Sequence, residues 1–291
     1  RKDDMVKNDC LKGEYTMEKN YRSELVGCFG DPVDGNPTGV MEEAAFTACG
    51  LNYRYITAKV CAGDLPAAFA GIKAMNFCGI NLTMPHKIDI IPLLDGLSAS
   101  AAIIGAVNTV VNRGGKWIGE NSDGKGFVES LRQQGCTLQG KYITILGAGG
   151  AARAIGIECA LAGAASITII NRSEIRGQEL VELIRKNTSA QARYAPWTPA
   201  VRIPEETQIL VNATCIGFDQ DRAQAPDIDY TAITTGMYVS DVVFNPVDPL
   251  FLQKARAQGA KTISGLGMLA QQGAINFTLW TGKPAPLDVM V

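Results

Sequence analysis

The stretch KYITILGAGGAARAI (141–155) constrains the fold most, because in it a short apolar run stops at glycine and a helical pattern follows. Residues 142–146 are β-branched and apolar, as in strands of a buried parallel sheet. Gly147, Gly149 and Ala152 then occupy the small-residue positions of G-x-G-x-x-G/A. In that pattern the first glycine makes a tight turn, the second lets the backbone approach a pyrophosphate, and the third position lets helix and strand pack closely.

The context of this loop favours a nucleotide site over a plain structural turn. A second β run, residues 166–170, follows the helix and ends at Asn171-Arg172. The helix N-terminus between the two strands would direct free N–H groups and its positive dipole end at phosphates. The cofactor loop is therefore predicted to comprise six consecutive residues: Gly147, Ala148, Gly149, Gly150, Ala151 and Ala152.

Length and charge narrow the class of protein. The chain has 291 residues, enough for two domains, with 46% hydrophobic and 19% charged residues and a net charge of −2. The basic residues are scattered, which predicts neither a nucleic-acid nor a membrane partner. The eight cysteines form no C-x-x-C pair, so we expect a reduced cytoplasmic protein without a metal site.

Two further expectations concern the ends and spans of the chain. No apolar stretch is long enough to cross a bilayer, and no secretory h-region is present. Residues 1–20 are polar and without periodicity, so they are expected to form a poorly ordered leader.

The first half of the chain alternates between strand and helix patterns. The pattern predicts strands at 24–30, 52–60 and 77–82 and helices at 40–49 and 65–75. A β-α-β-α-β order predicts an α/β fold with a mostly parallel sheet.

A first chemical site is predicted where the third strand ends, in Asn81-Leu82-Thr83-Met84-Pro85-His86-Lys87. Ligands of open α/β sheets gather beyond the carboxyl ends of the strands. Pro85 fixes the turn, so Lys87 starts a helix from a defined direction, although helix N-termini do not attract cations. The sole histidine, His86, is the alternative acid–base group.

Two more polar segments follow. Asn108 belongs to the segment GAVNT (105–109), and Asp123 to GENSDGKGF (119–127). Asp123 lies where the chain leaves its first half and enters a helix predicted at 127–134. A helix-capping role is the structural alternative to catalysis for this aspartate.

Several motifs stand in order along the chain: N-L-T-x-P-x-K, G-A-V-N-T, E-N-x-D-G-x-G-F, G-A-G-G-A-A-R-A, N-R-S, V-N-A-T-x-x-G and G-x-x-M-L-x-x-Q-G-A-x-x-F-x-x-W-T-G. Together they identify a chain that resembles the shikimate dehydrogenase family from about Glu24 to the C-terminus. The resemblance implies an α/β fold of two domains with the active site in the cleft between them. It implies a substrate-binding domain at 21–122, completed by a C-terminal helix within 264–291, and a Rossmann-type dinucleotide-binding domain at 123–263.

The resemblance also implies roles for single residues. Lys87 matches the family's catalytic lysine and Asp123 its catalytic aspartate, while Thr83, Asn108 and Gln272 match substrate-binding positions. Oxidation of a secondary alcohol removes a proton and a hydride, so a proton-transfer group must touch the hydroxyl. The carboxylate of Asp123 favours the charged lysine, so Lys87 is expected to act as the acid when a ketone is reduced.

The sequence departs from the family pattern at the substrate end. Asn36-Pro37-Thr38 stands where the family usually has a Ser-x-Ser pair that binds the substrate carboxylate. Asn36 and Thr38 still offer hydrogen-bond donors and are predicted to bind substrate. Phe244 replaces a tyrosine, and Glu42-Glu43 replace His-Asn. Quinate or a related cyclic hydroxy acid is therefore an alternative substrate.

Residues after the second strand of the nucleotide half bear on the choice of cofactor. Arg172 and Arg176 resemble the arginines that bind the 2′-phosphate of NADP, although alone they would be interpreted as surface charges. Glu174 favours NAD, because a carboxylate accepts from a free ribose hydroxyl and repels a phosphate. The resemblance places five further positions along the cofactor: Asn171, Asn212, Ala213, Thr214 and Gly265.

The resulting prediction is an NADP-dependent oxidoreductase that interconverts 3-dehydroshikimate and shikimate, in aromatic amino acid biosynthesis, as a monomer or homodimer. A quinate/shikimate dehydrogenase that uses NAD is the first alternative. A non-catalytic metabolite sensor on the same fold is the second.

Overall fold

The computed structural model describes residues 21–290, in which the strands form two six-stranded sheets. The leader predicted at 1–20 lies outside the described residues. The strands of the first sheet are β1 Glu24–Gly30, β2 Tyr53–Lys59, β3 Gly79–Leu82, β4 Gly96–Leu97, β5 Thr109–Arg113 and β6 Lys116–Glu120. Those of the second sheet are β7 Tyr142–Leu146, β8 Ser166–Asn171, β9 Gln191–Pro196, β10 Ile209–Asn212, β11 Tyr238–Asp241 and β12 Lys261–Ile263.

Helices cover both sheets, as the α/β prediction requires. They are α1 Thr38–Ala48, α2 Leu65–Ala74, α3 His86–Asp89, α4 Ala99–Ile104, α5 Ser122–Gln133, α6 Gly150–Leu161, α7 Glu174–Asn187, α8 Leu250–Ala257, α9 Gly265–Thr281 and α10 Leu287–Met290. None of the helices within 21–290 combines the length and the apolar content needed to cross a membrane.

The first sheet has the order β2-β1-β3-β5-β6-β4. Its first three strands are parallel, which confirms the arrangement predicted from the β-α-β-α-β order. Beyond β3 the sheet is mixed, because β5 runs antiparallel to β3 and forms a hairpin with β6. Gly114 and Gly115 form the tight turn of that hairpin, both with positive φ angles, 62° and 89°.

The second sheet is parallel throughout, with the order β12-β11-β10-β7-β8-β9. The strand order reverses between β7 and β10. Ligands of such sheets bind outside the carboxyl ends of the strands at this reversal. The glycine loop after β7 therefore lies at the position where a nucleotide is expected.

Helix α5 begins five residues earlier than predicted, at Ser122 in place of Phe127. Its two glycines lower helix propensity, but tertiary packing requires them. A Cβ atom on Gly124 would lie 2.3 Å from the carbonyl oxygen of Ala154 in α6. A Cβ atom on Gly126 would lie 2.7 Å from the backbone nitrogen of Gln272 in α9. Helix α5 thus packs closely against both helices.

Helix α9 begins at Gly265, within the segment 264–291 in which a C-terminal helix was expected, and returns the chain to the first sheet. Phe277 is fully buried there and stacks on Phe46 of α1 at a centroid distance of 5.5 Å. Trp280 is buried and donates from Nε1 to the carbonyl oxygen of Val110, 3.1 Å away. Both aromatic residues therefore pack in the core.

Candidate active site

A cavity of about 460 Å³ lies between the two sheets. Residues of the first sheet and its helices line one side, and Ala151, Val242 and Gly265 line the other. The cavity brings together all seven residues that were predicted to be catalytic or substrate-binding: Asn36, Thr38, Thr83, Lys87, Asn108, Asp123 and Gln272.

Lys87 and Asp123 form an ion pair in this cavity. The Nζ atom of Lys87, in the short helix α3, lies 2.6 Å from Oδ2 of Asp123 in the first turn of α5. Their side chains are 33% and 21% exposed, so both reach the cavity while remaining partly shielded from water. Asn121 occupies the N-cap position of α5, and the carboxylate of Asp123 is engaged by Lys87 in place of a capping role.

Asn108 orients the aspartate from the other side. Its Nδ2 donates to Oδ1 of Asp123 over 2.8 Å, and its Oδ1 accepts from the backbone N–H of Ser122 over 2.7 Å. The second bond fixes which end of the amide faces the aspartate. Both carboxylate oxygens of Asp123 are therefore held, and its side chain is oriented before any substrate arrives.

A second buried network orients Gln272. Thr109 donates from Oγ1 to Oδ1 of Asn276 over 2.8 Å, and Asn276 donates from Nδ2 to Oε1 of Gln272 over 3.0 Å. With its oxygen occupied, Gln272 retains its amide N–H groups for the cavity. The network explains how a residue late in the chain is positioned among residues of the first sheet.

The end of the cavity beside α1 is neutral. Asn36 accepts at Oδ1 from the backbone N–H of Thr38 over 3.0 Å, and its Nδ2 lies 3.4 Å from Sγ of Cys28. Burial raises the pKa of Cys28 to about 11, so this thiol stays protonated. Among the described residues that line the cavity, Lys87 is the only cation, and Asp123 is its partner. A substrate carboxylate at this end would depend on neutral donors.

Glu42 lies one turn after Thr38 on α1 and is fully buried. Neither of its carboxyl oxygens has a hydrogen-bond partner in the described part of the chain. Burial raises the pKa of this carboxyl group well above its usual value, because the charged form is desolvated. Burial therefore favours the protonated, neutral form of Glu42 in the folded protein.

His86 is excluded as the acid–base group. Its side chain is 1% exposed, and Nε2 lies 2.7 Å from the carbonyl oxygen of Val60. The imidazole connects α3 to the end of β2 and does not line the cavity. The alternative to Lys87 is wrong for this reason.

The glycine loop fits a dinucleotide. Gly147 has a φ angle of 106°, and a Cβ atom on it would lie 3.0 Å from both the carbonyl oxygen of Ala213 and Cγ2 of Thr214. Gly149 is the N-cap of α6 without a side-chain cap, and no atom lies within 4 Å of a Cβ atom on Gly149 or Gly150. The space beside this uncapped helix N-terminus is therefore open, which suits the approach of a pyrophosphate.

Helix α7 begins beside this loop. Ser173 is its N-cap and accepts from the backbone N–H of Arg176 over 3.4 Å, while Asn171 donates to the carbonyl oxygen of Ser173 over 2.8 Å. Arg172 and Arg176 are exposed, and neither forms an ion pair within residues 21–290. Glu174 lines a separate groove together with Arg153 of α6 and further residues of α7. The two guanidinium groups are free for an anionic ligand.

Known proteins resemble this chain over most of its length. Residues 28–110 match the model of the shikimate dehydrogenase substrate binding domain, and residues 265–291 match that of the shikimate 5′-dehydrogenase C-terminal domain. The shikimate dehydrogenase (NADP(+)) of Desulforamulus reducens is 39% identical over 93% of this chain and 94% of its own. This chain belongs to the shikimate dehydrogenase family.

Two solved structures share the fold of this chain over most of its length. The ligand-free 5-ketofructose reductase of Gluconobacter sp. strain CHM43 has a TM-score of 0.91 at 44% identity, over 93% of this chain and 97% of that one. Shikimate 5-dehydrogenase of Listeria monocytogenes, in complex with shikimate and NAD, has a TM-score of 0.88 at 34% identity, over 96% and 98%. The predicted fold class and the predicted oxidoreductase activity are confirmed.

Sequence reasoning missed several residues that line the cavity of this family member. Cys28 lies near the carboxyl end of β1, where the rule for open sheets could have found it. Met268 and Leu269 precede Gln272 by four and three residues on α9, so helical spacing could also have found them. Phe218 lies in the loop after β10, for which the sequence carries no comparable signal.

The structure also changes the role expected of one predicted cofactor residue. Asn212 is fully buried at the end of β10, and its side chain bonds within the protein. A direct side-chain contact with a nucleotide is thereby excluded. Asn212 acts on the neighbouring loop.

Proposed function

We propose that this protein is an NADP-dependent oxidoreductase that interconverts 3-dehydroshikimate and shikimate. The observation that carries the proposal is the Lys87–Asp123 pair, with its 2.6 Å contact, in a cavity that also reaches the helix following the glycine loop at Ala151. Such a cavity holds a proton-transfer group and a nicotinamide site on opposite sides of one substrate. The names of the curated relatives, shikimate dehydrogenase (NADP(+)), agree with this proposal.

In the direction of ketone reduction, Lys87 donates its proton to the carbonyl oxygen as that oxygen becomes an alkoxide. Asp123 holds the ammonium group in place and accepts from a neighbouring hydroxyl of the substrate, while Asn108 keeps the carboxylate oriented. Gln272 donates to a further oxygen of the substrate. The bound dinucleotide supplies or accepts the hydride at the carbon. In the direction of oxidation, the neutral lysine accepts the hydroxyl proton.

The residues that would hold the dinucleotide are the backbone of Gly147–Ala152 for the pyrophosphate and Arg172 and Arg176 for a 2′-phosphate. Two exposed guanidinium groups without ion-pair partners in the described chain favour NADP over NAD. Asn171, Ala213, Thr214 and Gly265 complete the proposed cofactor site. NAD remains the alternative, because Glu174 begins α7 and the Listeria relative was solved with NAD.

A second candidate is the reduction of an uncharged keto sugar. The 5-ketofructose reductase is 44% identical to this chain, whereas the shikimate 5-dehydrogenase of Listeria monocytogenes is 34% identical. The neutral end of the cavity, with Asn36 beside Cys28 and no unpaired cation among the lining residues, suits a hydroxylated substrate as well as a carboxylate.

Initial rates separate these candidates. Shikimate and quinate are oxidised with NADP⁺ or NAD⁺, and 5-ketofructose is reduced with NADPH or NADH, while nicotinamide absorbance is followed. The main proposal expects the highest kcat/KM for shikimate with NADP⁺. A higher kcat/KM for 5-ketofructose would make this keto sugar the substrate in place of shikimate. A higher kcat/KM for quinate with NAD⁺ would support the quinate alternative. Nucleotide binding without turnover of any tested substrate would support the alternative that the protein is a non-catalytic metabolite sensor.

We further propose the division of the chain into a substrate-binding domain at 21–122, completed by 264–291, and a dinucleotide-binding domain at 123–263. The two separate sheets support this division. The unpaired thiols of seven cysteines support a reducing cytoplasmic location. Size-exclusion chromatography with light scattering distinguishes the proposed monomer from a homodimer.

A further inference from the structure

A chain of hydrogen bonds leads from a buried carboxyl group to the loop after β10. Asp241, at the end of β11, accepts at Oδ1 from Nδ2 of Asn212 over 3.0 Å and from the backbone N–H of Val243 over 2.9 Å. Asn212 in turn accepts at Oδ1 from the hydroxyl of Thr214 over 2.7 Å and from its backbone N–H over 3.2 Å. Thr214 accepts at Oγ1 from the backbone N–H of Ile216 over 3.1 Å. Together these hydrogen bonds constrain the conformation of the loop at 213–218.

This loop borders both proposed ligands. Ala213 and Thr214 lie against Gly147 of the glycine loop. At the far end of the loop, Phe218 packs edge-on against Phe244 with a centroid distance of 5.4 Å, and both rings line the cavity. The loop and the segment after β11 therefore enclose the cleft together. Asp241 bonds to Val243 in that segment and reaches the loop through Asn212.

The state of the Asp241 carboxyl group is not explained by packing alone. Its side chain is 1% exposed, and its Oδ2 has no hydrogen-bond partner among the described residues. Burying a carboxyl group that is only half satisfied costs stability, so a side chain kept in this state points to a task that the carboxyl group performs. Neither the proton transfer nor the proposed binding of phosphates uses it.

We propose that Asp241 is a positioning residue that holds the 213–218 loop in the shape that binds the nicotinamide dinucleotide. The proposal rests on the proposed function only in that the cleft binds this cofactor. The ionised carboxylate holds Asn212 and Val243 more strongly than the neutral acid does, because charge-assisted hydrogen bonds are roughly twice as strong as neutral ones. Dinucleotide affinity is therefore linked to the protonation of Asp241.

The electrostatic surroundings place this titration near neutral pH. Burial raises the pKa of Asp241 to about 7, against the opposing effect of the bonds from Val243 and Asn212. Tyr230 is a titratable neighbour on which the charge of Asp241 acts, and burial is the main cause that raises the pKa of its phenol. Tyr230 therefore stays neutral over the range in which Asp241 titrates. The loop is held tightly above pH 7 and less tightly below it.

The test measures the Kd for NADPH by its fluorescence at pH 6 and pH 8, in wild type and in Asp241→Asn. The asparagine keeps the shape and an acceptor but has no charge to lose. The ratio of the two Kd values cancels the titration of the ligand's own phosphate. We expect a ratio near 1 at pH 6 and a Kd about fivefold higher for the variant at pH 8. Equal ratios at both pH values would overturn the proposal.

Two further variants separate positioning from simple destabilisation. Thr214→Val removes the next hydrogen bond of the same chain. At pH 8 the double variant should therefore raise the Kd by less than the product of the two single increases. A Kd increase in the double variant equal to that product would contradict the proposal that both residues act through one chain of hydrogen bonds. Asp248→Asn is the matched control, because this exposed aspartate pairs with Arg256 on the surface, and we expect unchanged Kd values at both pH values. A pH-dependent change in this control would also contradict the proposal.

The readout is independent of turnover. Failure of every tested substrate to react would refute the proposed activity, while the Kd ratios would still decide the role of Asp241. Hydrogen exchange of residues 213–218 at pH 8 gives a second measurement, in which Asp241→Asn should exchange faster than wild type. Unchanged exchange would count against the proposal.

Discussion

The ammonium group of Lys87 and the carboxylate of Asp123 are in direct contact, with Nζ and Oδ2 separated by 2.6 Å, although 36 positions separate them in the chain. Helix α3 carries one and helix α5 the other, and Asn108 holds the carboxylate from behind. The pair is assembled before substrate binds, which is what positioned proton transfer requires.

Replacement of this lysine should remove the proton donor. We expect Lys87→Ala to lower kcat by a factor of about 10² or more while the thermal midpoint of unfolding stays close to that of wild type. Steady-state kinetics and circular dichroism check both statements. Lys73→Ala, an exposed lysine on α2, is the control and should keep full activity. Unchanged turnover in Lys87→Ala would remove this residue from the mechanism.

Asn36 should determine which end group the substrate carries. Asn36→Ser introduces the hydroxyl donor that the family usually has at this position, so we expect kcat/KM for shikimate relative to 5-ketofructose to rise about tenfold. Thr38→Ser keeps a hydroxyl at the neighbouring position and should leave the ratio unchanged. A ratio that stays constant in Asn36→Ser would mean that this amide does not discriminate between the two substrates.

The two arginines at the start of α7 should select the cofactor. Arg172→Ala and Arg176→Ala are each expected to raise KM for NADP⁺ about tenfold or more and to leave KM for NAD⁺ nearly unchanged, because only the former carries a 2′-phosphate. Arg185→Ala, at the far end of the same helix and paired with Glu182, is the matched control. Equal losses with both cofactors would assign the arginines to another role.

Close packing of α5 against α9 should make Gly126 intolerant of a side chain. Gly126→Ala would place a Cβ atom 2.7 Å from the backbone nitrogen of Gln272, so we expect a loss of about 1–3 kcal/mol in the free energy of unfolding. Gly71→Ala in α2 meets no atom within 4 Å and should be neutral or slightly stabilising. Urea unfolding of both variants tests the difference.

Titration of Glu42 should lower the free energy of unfolding as pH rises. Its pKa is raised in the folded state, so the folded protein retains this proton while the unfolded chain releases it above the ordinary value of 4.5. The stabilisation is complete below that value and is lost progressively at higher pH, toward the raised pKa of the folded state. Glu42→Gln should therefore flatten the pH dependence of the melting temperature above pH 4.5. A difference between the two curves that does not vary with pH would show that Glu42 is not titrating.

Local patterns predicted the elements whose partners lie nearby in the chain. The strand, glycine loop and helix at 142–161 and the three parallel strands β1 to β3 follow from hydrophobic periodicity and connection rules, which act over tens of residues. The catalytic and substrate-binding residues were predicted through comparison with the motifs of a family, and the cavity contains all seven of them. The antiparallel hairpin β5–β6 and the early start of α5 were missed, because strand direction and glycine packing depend on distant partners.

The sequence by itself determined the fold class and the glycine loop, because each is written in residues that are adjacent or regularly spaced. Lys87 and Asp123 were expected to react only because their motifs resemble those of a family, since 36 positions separate them in the chain. Only the tertiary structure decided what His86, Asn212 and Asp241 do, because their roles depend on burial and on the hydrogen bonds that burial makes obligatory. The neutral end of the cavity is likewise a tertiary property. It arises from the absence of an unpaired cation among lining residues that the described chain brings together from both sheets.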